Sequence, residues 1–294
     1  MRTAYKSKSR IIFEIFNYTL FTLFCLSIIL PFVNVIAISL SNMEEQLKAP
    51  IGLIPRGLTF SAYERIIFNR QFVRTFFNTV FLTVVKTALV IVISLAAGYA
   101  LSSKYLIGKK IMMTYFLIPM YFSGGLIPTY LLIQGIGLNN SYGAIILPTA
   151  VNIFYTIVFK NMITQLPAEL IESAEIDGAS QPVLLFKIII PLILPTIAAF
   201  IVFSSVAYWN EWFSVMIYIR DKEKWTLQYQ LREILLSASL MDSEAAKDIA
   251  NPNQVYSEAL KMAALMITIL PIVAVYPFVQ KYFMSGVLVG AVKG

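Results

Sequence analysis

The sequence contains no histidine and only one cysteine, Cys25, in 294 residues. The absence of histidine excludes Ser-His-Asp hydrolysis, His-ligated zinc and any imidazole proton relay. A lone cysteine excludes an intrachain disulfide and cysteine-rich metal sites, and it leaves the redox compartment undecided. The function must therefore rest on other side chains.

Charged residues are also scarce, at 13% of the chain, whereas 58% of the residues are hydrophobic and the mean hydropathy is +0.74. Soluble domains carry about 25% charged residues, so the composition indicates a membrane protein. A content of 21 Phe and 16 Tyr excludes a disordered chain. The net charge of +7 would suggest nucleic-acid binding in a soluble protein. In a membrane protein it indicates basic cytoplasmic loops instead, so no nucleic-acid partner is expected.

Long runs with few charged residues predict the membrane-spanning helices. A spanning helix needs about 20 mostly apolar residues. The run from 111 to 159 is too long for one helix, and a turn-forming composition at 134–141 divides it. The sequence therefore predicts an all-α membrane protein with six transmembrane helices in a membrane domain of residues 12–285. The predicted spans are 12–38, 75–103, 111–133, 142–159, 188–210 (continuing to about 218) and 262–280.

Basic residues indicate which ends of the spans face the cytoplasm. The N-terminal segment 1–11 contains four basic residues and no acid, and Lys104, Lys109 and Lys110 follow the second span. By the positive-inside rule, the N-terminus is expected in the cytoplasm. Six spans then return the C-terminus to the same side, as a cytoplasmic tail of residues 286–294.

Three segments between the predicted spans are longer than simple connectors, which suggests a function for each. Residues 39–75 and 219–261 are predicted outer loops, the second with a helix at 227–240, and both exceed the length of ordinary connectors. Their length favours docking of an extracytoplasmic solute-binding protein over a simple connecting role. Residues 160–190 form the predicted cytoplasmic loop, which is the most informative part of the sequence.

The cytoplasmic loop carries the signals of a short helix with a defined end. Pro167 suits the first helical turn, and Glu172 lies toward the positive end of the helix dipole. Gly178 is well placed to end this helix, and Ser180 to cap a second short helix at 181–190 before the fifth span. On this pattern alone, the loop is an amphipathic connector between two spans.

A longer pattern in the loop gives it a specific meaning. It reads Glu172-Ser173-Ala174-x3-Gly178-x9-Ile188-x-Ile190-Pro191. This resembles the EAA loop, EAA-x3-G-x9-I-x-LP, of binding-protein-dependent ABC transporter permeases. Serine replaces the first alanine and isoleucine replaces the leucine, and both replacements nearly keep the size of the side chain.

Other segments, in the same order along the chain, extend the resemblance to essentially the whole sequence. Residues 177–180, 209–212 and 290–294 are similar to the MalG-like second permease of the carbohydrate-uptake branch. Residues 122–130 and 276–282 are similar to a subgroup that imports oligosaccharides derived from complex polysaccharides. Each segment alone is a weak signal, and their combination is specific.

The resemblance implies a type I ABC importer permease fold in a bacterial cytoplasmic membrane. Such a permease pairs with a homologous second permease, receives an oligosaccharide from a solute-binding protein, and seats its EAA loop on one of two ATPase subunits. ATP and Mg²⁺ bind to those subunits. The residues that match the coupling loop are Glu172, Ser173, Ala174, Asp177, Gly178, Ala179, Ile188 and Pro191.

The chain itself has no phosphate-binding loop of the G-x-x-x-x-G-K-[ST] type. Gly108-Lys109-Lys110 lacks both the earlier glycine and the hydroxyl residue. We therefore expect a non-catalytic subunit that binds no cofactor of its own and receives its energy through a contact surface.

Polar residues within the spans are candidates for the substrate path, because ionisable groups in a bilayer are usually functional. Lys86 either extends its amino group to the outer interface or lines a cavity as a cation. Glu211, between two tryptophans, belongs either to an interfacial aromatic belt or to a patch that binds sugar hydroxyls. The candidate path residues are Tyr121, Ser123, Gly124, Trp209, Asn210, Glu211 and Lys86.

Two questions stay open at the level of sequence. The cargo is either an acidic oligosaccharide of the alginate or pectin type, which the basic balance favours weakly, or a neutral one. A secondary transporter is the alternative from another class, although it would place ion-coupling carboxylates near the midplane, where this chain has none. A rhomboid-like intramembrane protease would need a Ser-His pair, and the sequence has no histidine. A CDP-alcohol transferase would need several aspartates on one span, whereas all four aspartates lie in predicted loops.

Overall fold

The computed structural model of the chain describes residues 8–42, 52–245, 258–275 and 277, with side chains up to 236 in the second range. The regular secondary structure of these residues is helical, and an isolated bridge between Ser41 and Leu58 is the only strand-like pairing among them. The all-α prediction is therefore confirmed for the described part. The predicted C-terminal tail, the motif at 290–294 and, apart from residue 277, the motif at 276–282 with the end of the sixth span lie outside it.

The chain divides into two compact units, residues 1–69 with 233–269 and residues 70–232 with 270–294. The first unit contains α1 (Lys8–Ser39) and α2 (Ser61–Ile67). The Ser39 hydroxyl lies 2.7 Å from the Tyr63 hydroxyl, which ties the end of α1 to α2. Helix α1 covers the first predicted span, 12–38, and is long and apolar enough to cross a membrane.

The second unit contains eight of the described helices in full. They are α3 (Arg70–Ser102), α4 (Lys109–Tyr121), α5 (Leu126–Gly135), α6 (Gly143–Ile146), α7 (Ile153–Thr164), α8 (Ala168–Ile176), α9 (Gln181–Trp209) and α10 (Phe213–Tyr218). Two further helices, α11 (Leu227–Ala245) and α12 (Glu258–Val275), contribute residues to both units. The predicted helix at 227–240 is confirmed by α11.

Five of the described segments are long and apolar enough to cross a membrane, namely α1, α3, α6 with α7, α9 and α12. A sixth span results when α4 and α5, which meet at 112°, are counted together. The prediction of six spans is confirmed in this form, although the third predicted span is not one continuous helix. It breaks at residues 122–125, because Gly125 adopts a φ of +84° and Phe122 is extended, so neither continues the helical ladder.

The helices on either side of the predicted cytoplasmic loop extend beyond the ends of the predicted spans. Helix α7 continues to Thr164, and α9 begins at Gln181, so the connection covers 165–180 rather than 160–190. The expected short helix at 181–190 and the fifth span are one helix of 29 residues. Its turn at Leu184–Ile189 is π-helical. Pro191 has no N–H for the carbonyl of Lys187, and a local π turn is one way in which a membrane helix accommodates such a loss.

Two further boundaries differ from the prediction. Helix α3 begins at Arg70, so the last part of the predicted outer loop 39–75 is helical. The fifth span ends at Trp209 and does not continue to 218, because residues 210–212 interrupt the helix before α10 begins.

Three helices of the second unit share its apolar core. Residues of α3, α7 and α9 form one buried cluster: Val90, Ile91, Leu95, Phe159, Ile163, Ile189, Ile193, Ile197 and Phe200. Gly98 lets α3 and α7 approach closely, since a Cβ atom there would lie 2.8 Å from the Cβ of Phe159 and 3.0 Å from the backbone of Lys160. This core positions both ends of α9, on which the candidate sites depend.

The close contact at Gly98 predicts that alanine at this position destabilises the protein, although helix propensity alone favours alanine. Alanine is normally the better helix former by about 1 kcal/mol, yet Gly98→Ala should lower the free energy of unfolding by about 1–3 kcal/mol, because the added methyl meets backbone atoms. Denaturant unfolding of the purified protein in detergent measures this difference. Gly135→Ala is the matched control, since no atom in the described part of the chain lies within 4 Å of its added Cβ. A stabilised Gly98→Ala protein would contradict the packing argument.

Candidate functional site

The first candidate site is the exposed helix α8 and the turn that ends it. Gly178 has a φ of +82°. Its N–H donates to the Glu175 carbonyl at 3.1 Å, and the N–H of Ala179 donates to the Ala174 carbonyl at 2.9 Å. These two bonds form a Schellman motif, which needs a left-handed residue at the Gly178 position. The predicted stop at Gly178 is confirmed.

Only one side of α8 is held by the rest of its unit. Leu166, just before the helix, packs on the buried cluster of α3, α7 and α9, and Ile171 and Ala174 are half-buried. Leu170 is exposed, and Ile176 is 86% exposed. The free side of α8 therefore presents apolar side chains.

An ion pair joins α8 to the connection between α3 and α4. The Nζ atom of Lys104 lies 2.8 Å from Oε1 of Glu172. The hydrogen bond from Lys104 and its positive charge lower the pKa of the Glu172 carboxyl, and the same hydrogen bond raises the pKa of Lys104. Both side chains are exposed, so water screens the pair and Glu172 can exchange this partner for another at little cost.

The remaining residues of the predicted coupling set lie at the surface. Ser173, Asp177 and Gly178 are exposed, and Ala179 is half-buried. Ile188 and Pro191, which also match the family's loop pattern, lie within α9, where the first is half-buried and the second exposed. The deeper anchors are Leu184 and Ile189, each 1% exposed. Hydrogen bonding between the Tyr99 hydroxyl and the Gln181 side chain also ties α3 to the start of α9.

The second candidate site is the interruption between α9 and α10, where Glu211 forms an ion pair with Lys86 of α3. Lys86 is 1% exposed and Glu211 16%. The Lys86 ammonium lies 4.3 Å from the ring centre of Tyr208, and the Ser214 hydroxyl donates to Glu211 at 2.5 Å. The explanation of Lys86 as a side chain that reaches the outer interface is wrong, because the residue is buried and paired.

Glu211 is held by several interactions besides its ion pair with Lys86. Its carboxylate is occupied by Lys86 and Ser214, and its backbone carbonyl accepts a hydrogen bond from the Thr226 hydroxyl at 2.9 Å. The carboxylate is therefore paired within the protein rather than open to solvent, and the choice between the aromatic belt and a sugar-binding patch stays a prediction. The arrangement fixes the end of α9 against α3 and against the segment that leads into α11.

Trp209 and Asn210, next to this pair, have different surroundings. Trp209 is buried, packs edge-to-face on Phe76, and lines an apolar cavity of about 580 Å³ between α3, α9 and the last turns of α12. Such a wall offers sugar hydroxyls almost no partners. Asn210 is exposed, donates to the Val206 carbonyl at 2.8 Å, and accepts a hydrogen bond from Gln228 at 2.9 Å.

The other predicted path residues lie at the break between α4 and α5. Tyr121, Ser123 and Gly124 are all exposed there. In the described part of the chain, no hydrogen bond or ring contact joins them to Asn210 or Glu211. The structure thus brings Lys86 together with Glu211 and leaves the α4–α5 group separate.

The segment that follows α10 is fixed by hydrogen bonds to two other parts of its unit. The Asn140 side chain accepts from the backbone N–H groups of Arg220 and Asp221 at 3.1 and 2.9 Å. Asn78 of α3 donates to the Glu223 carbonyl at 2.8 Å, and Arg74 forms an ion pair with the Glu223 carboxylate at 2.5 Å. A defined surface rather than a loose loop therefore links α10 to α11.

The family assignment comes from comparison with known proteins. Residues 1–289 match the family model of the binding-protein-dependent transport system inner membrane component. The chain belongs to this family. It is therefore a membrane permease of a transport system that depends on a binding protein, and the secondary transporter that the composition left open is excluded.

Individual relatives match this permease over almost their entire length. The polygalacturonan/rhamnogalacturonan transport system permease protein YtcP of Bacillus subtilis is 38% identical over 96% of the permease and 99% of the relative. The protein LplC of Bacillus subtilis is 36% identical over 100% and 99%. A solved chain of a bacterial ABC transporter involved in the import of the acidic polysaccharide alginate superimposes with a TM-score of 0.85. It is 28% identical over 96% of the permease and 100% of that chain. The type I ABC importer permease fold is thereby confirmed.

Sequence reasoning missed three residues that complete these sites, namely Lys104, Tyr208 and Arg232. A signal existed for the first, because a basic and an acidic loop on the same side of a membrane are suitable partners. Tyr208 directly precedes the tryptophan of the 209–212 motif, but nothing in one sequence indicates that its ring covers Lys86. Arg232 lies one turn after Gln228 on α11, and its ring partner is Trp212.

Proposed function

We propose that this permease imports oligosaccharides derived from acidic polysaccharides, as one half of the translocation path of an ATP-driven transporter. The observation that carries the proposal is full-length similarity to a polygalacturonan/rhamnogalacturonan permease and to a permease chain of an alginate importer. These polymers differ in their sugars but share uronate units, each of which carries a carboxylate. A carboxylate-bearing oligosaccharide is therefore the cargo that both relatives support.

The complex would contain a homologous second permease, two ATPase subunits and an extracytoplasmic solute-binding protein. ATP and Mg²⁺ bind on the ATPase subunits, and this chain acts without a catalytic site of its own. Lys104, Lys109 and Lys110 favour a cytoplasmic position for the α3–α4 connection. The ion pair between Lys104 and Glu172 then supports the same side for α8.

Helix α8 and its terminal turn are the proposed contact with an ATPase subunit. The helix is held on one side and exposed on the other, and the Schellman turn keeps its end rigid. A rigid projection transmits a displacement of the partner to α7 and α9, which flank it in the chain. The residues assigned to this contact are Glu172, Ser173, Ala174, Asp177, Gly178 and Ala179, with Ile176 added from its exposure.

The cargo assignment predicts a large preference for carboxylates. The complete transporter is reconstituted in proteoliposomes, with its binding protein outside and ATP inside. It should take up oligogalacturonate at least about tenfold faster than the carboxyl-reduced oligosaccharide of equal length. One lost charge-assisted hydrogen bond already corresponds to about a tenfold change. ATP-dependent uptake of labelled oligosaccharide measures the ratio.

Matched chain length makes the carboxyl group the only variable in that experiment. Faster uptake of the neutral oligosaccharide would replace the acidic cargo with a neutral one. A complex that hydrolyses ATP and transports neither sugar would remove the carbohydrate cargo while leaving the family assignment intact.

A further inference from the structure

An arginine and a tryptophan are stacked beside the Lys86–Glu211 ion pair, and no function assigned so far uses them. The guanidinium carbon of Arg232, on α11, lies 3.8 Å from the ring centre of Trp212, in the interruption between α9 and α10. Both side chains are half-buried. At this distance the guanidinium lies over the face of the indole, where cation–π attraction holds it.

The stacked guanidinium keeps its hydrogen-bonding groups available. Stacking uses the flat face of the group, whereas its five N–H donors lie in the plane and point outward. In the described part of the chain, no carboxylate forms an ion pair with Arg232 and no hydrogen bond occupies these donors. This planar fork matches the two oxygens of a carboxylate, which it binds through two parallel hydrogen bonds.

The neighbouring acid Glu211 does not compete for Arg232, because other groups pair with it. Glu211 directly precedes Trp212 in the chain and would otherwise attract the guanidinium or repel an incoming anion. Its charge is compensated by Lys86 and by the Ser214 hydroxyl. The buried ion pair therefore removes the acid that would compete with a bound carboxylate.

Two amide side chains adjoin the stacked pair and provide further donors. Gln228 lies one helical turn before Arg232, so the two residues share a face of α11. Its amide donates to the Asn210 side chain at 2.9 Å, and Asn210 donates to the Val206 carbonyl at 2.8 Å. Each amide nitrogen retains a second N–H, which suits the hydroxyl oxygens of a sugar.

We propose that Arg232, held over the ring of Trp212 and flanked by Asn210 and Gln228, forms a subsite for the carboxylate of a uronate sugar. The inference rests on the proposed acidic cargo, and Arg232 is the residue that binds the cargo's carboxylate. Trp212 then acts as the support of the guanidinium rather than as a surface for the sugar ring. Partial burial strengthens the attraction relative to an arginine in open water.

The test compares the uptake of oligogalacturonate and of its carboxyl-reduced counterpart by the complete transporter. Arg232→Gln should reduce the ratio of acidic to neutral uptake about tenfold, because one bidentate contact to a charged group is lost. Arg220→Gln removes the same charge from an exposed position that is not in contact with Trp212, and it should leave the ratio unchanged. Arg232→Lys keeps the charge without the planar fork and should give an intermediate ratio.

Uptake of the neutral oligosaccharide reports in every variant whether the transporter is folded and coupled. If wild type prefers the acidic sugar and Arg232→Gln keeps that preference within twofold, the subsite is wrong and the acidic cargo stands. Equal loss of both sugars in Arg232→Gln would also contradict the subsite, because the variant would then have lost folding or coupling rather than recognition of the carboxylate. A wild-type transporter without acid preference would overturn the proposed cargo itself.

Discussion

A Gly178→Val permease is expected to insert and assemble with its partners but to lose about nine-tenths of its ATP-driven uptake. The residue has a φ of +82°, in the left-handed region, where a residue with a side chain is less stable by about 1–2 kcal/mol and a β-branched one by more. An energy of 1.4 kcal/mol corresponds to a tenfold loss of the native turn. Because the turn fixes the end of α8, its loss should disconnect ATP hydrolysis from transport.

Gly178→Asn separates the conformation of this residue from the space around it. Asparagine tolerates the left-handed region, and no atom of the described residues lies within 4 Å of an added Cβ. The asparagine variant should therefore keep most of its uptake. Measurements of ATP hydrolysis and uptake on the same proteoliposomes give the coupling ratio. Full uptake by Gly178→Val would refute the coupling role of α8, and equal failure of both variants would refute the conformational explanation.

Breaking the Lys86–Glu211 ion pair from either side should destabilise the permease strongly. Removal of one partner from a buried pair leaves the other charge uncompensated and costs about 3–5 kcal/mol. Glu211→Gln should be the more severe change, since it strands Lys86, which is 1% exposed, whereas Lys86→Met strands Glu211, which is 16% exposed and keeps the Ser214 hydroxyl. Denaturant unfolding in detergent, followed by tryptophan fluorescence, measures both losses.

The double variant Lys86→Met with Glu211→Gln tests whether the two residues act as a pair. Replacement of a buried ion pair by uncharged groups of similar size is often nearly neutral. The double variant should therefore be more stable than Glu211→Gln alone, with a coupling energy of at least about 1 kcal/mol. Losses that simply add, each below about 1 kcal/mol, would mean that the contact behaves like an exposed pair.

Features set by local chemistry were predictable from the sequence. The helix after Pro167 and the stop at Gly178 follow from backbone preferences of single residues, and the structure contains both. The spans follow from composition, because a bilayer demands long apolar helices. The EAA-like pattern then indicated which loop to compare with a family, and the match over residues 1–289 confirmed that family.

Breaks and continuations within apolar runs were harder to predict. The pair Gly124-Gly125 divides the third predicted span, yet a charge count treats it as ordinary helix. The sequence predicts a short helix at 181–190 separate from the fifth span, but α9 is continuous from Gln181 to Trp209 and has a π turn at Leu184–Ile189. Hydropathy does not record backbone geometry, so glycine and proline within a span need a structure to decide their effect.

Contacts between distant parts of the chain could not be derived from one sequence. Lys86 and Glu211 are 125 residues apart, and each had a reasonable separate explanation. A lone lysine in one span and a lone glutamate at the end of another are nevertheless a signal, because buried charges require partners. The stacking of Arg232 on Trp212 had no comparable signal, since arginines in an outer segment are ordinary.

The central claim is that energy enters this permease through α8. A photo-cross-linking amino acid in place of Ile176, which is 86% exposed, tests it most directly in the assembled transporter. The account predicts an adduct with an ATPase subunit, and no such adduct from the equally exposed Phe68, which precedes α3 at the opposite end of that helix from α8. An active complex in which position 176 cross-links to no ATPase subunit, or in which position 68 does, would contradict the account.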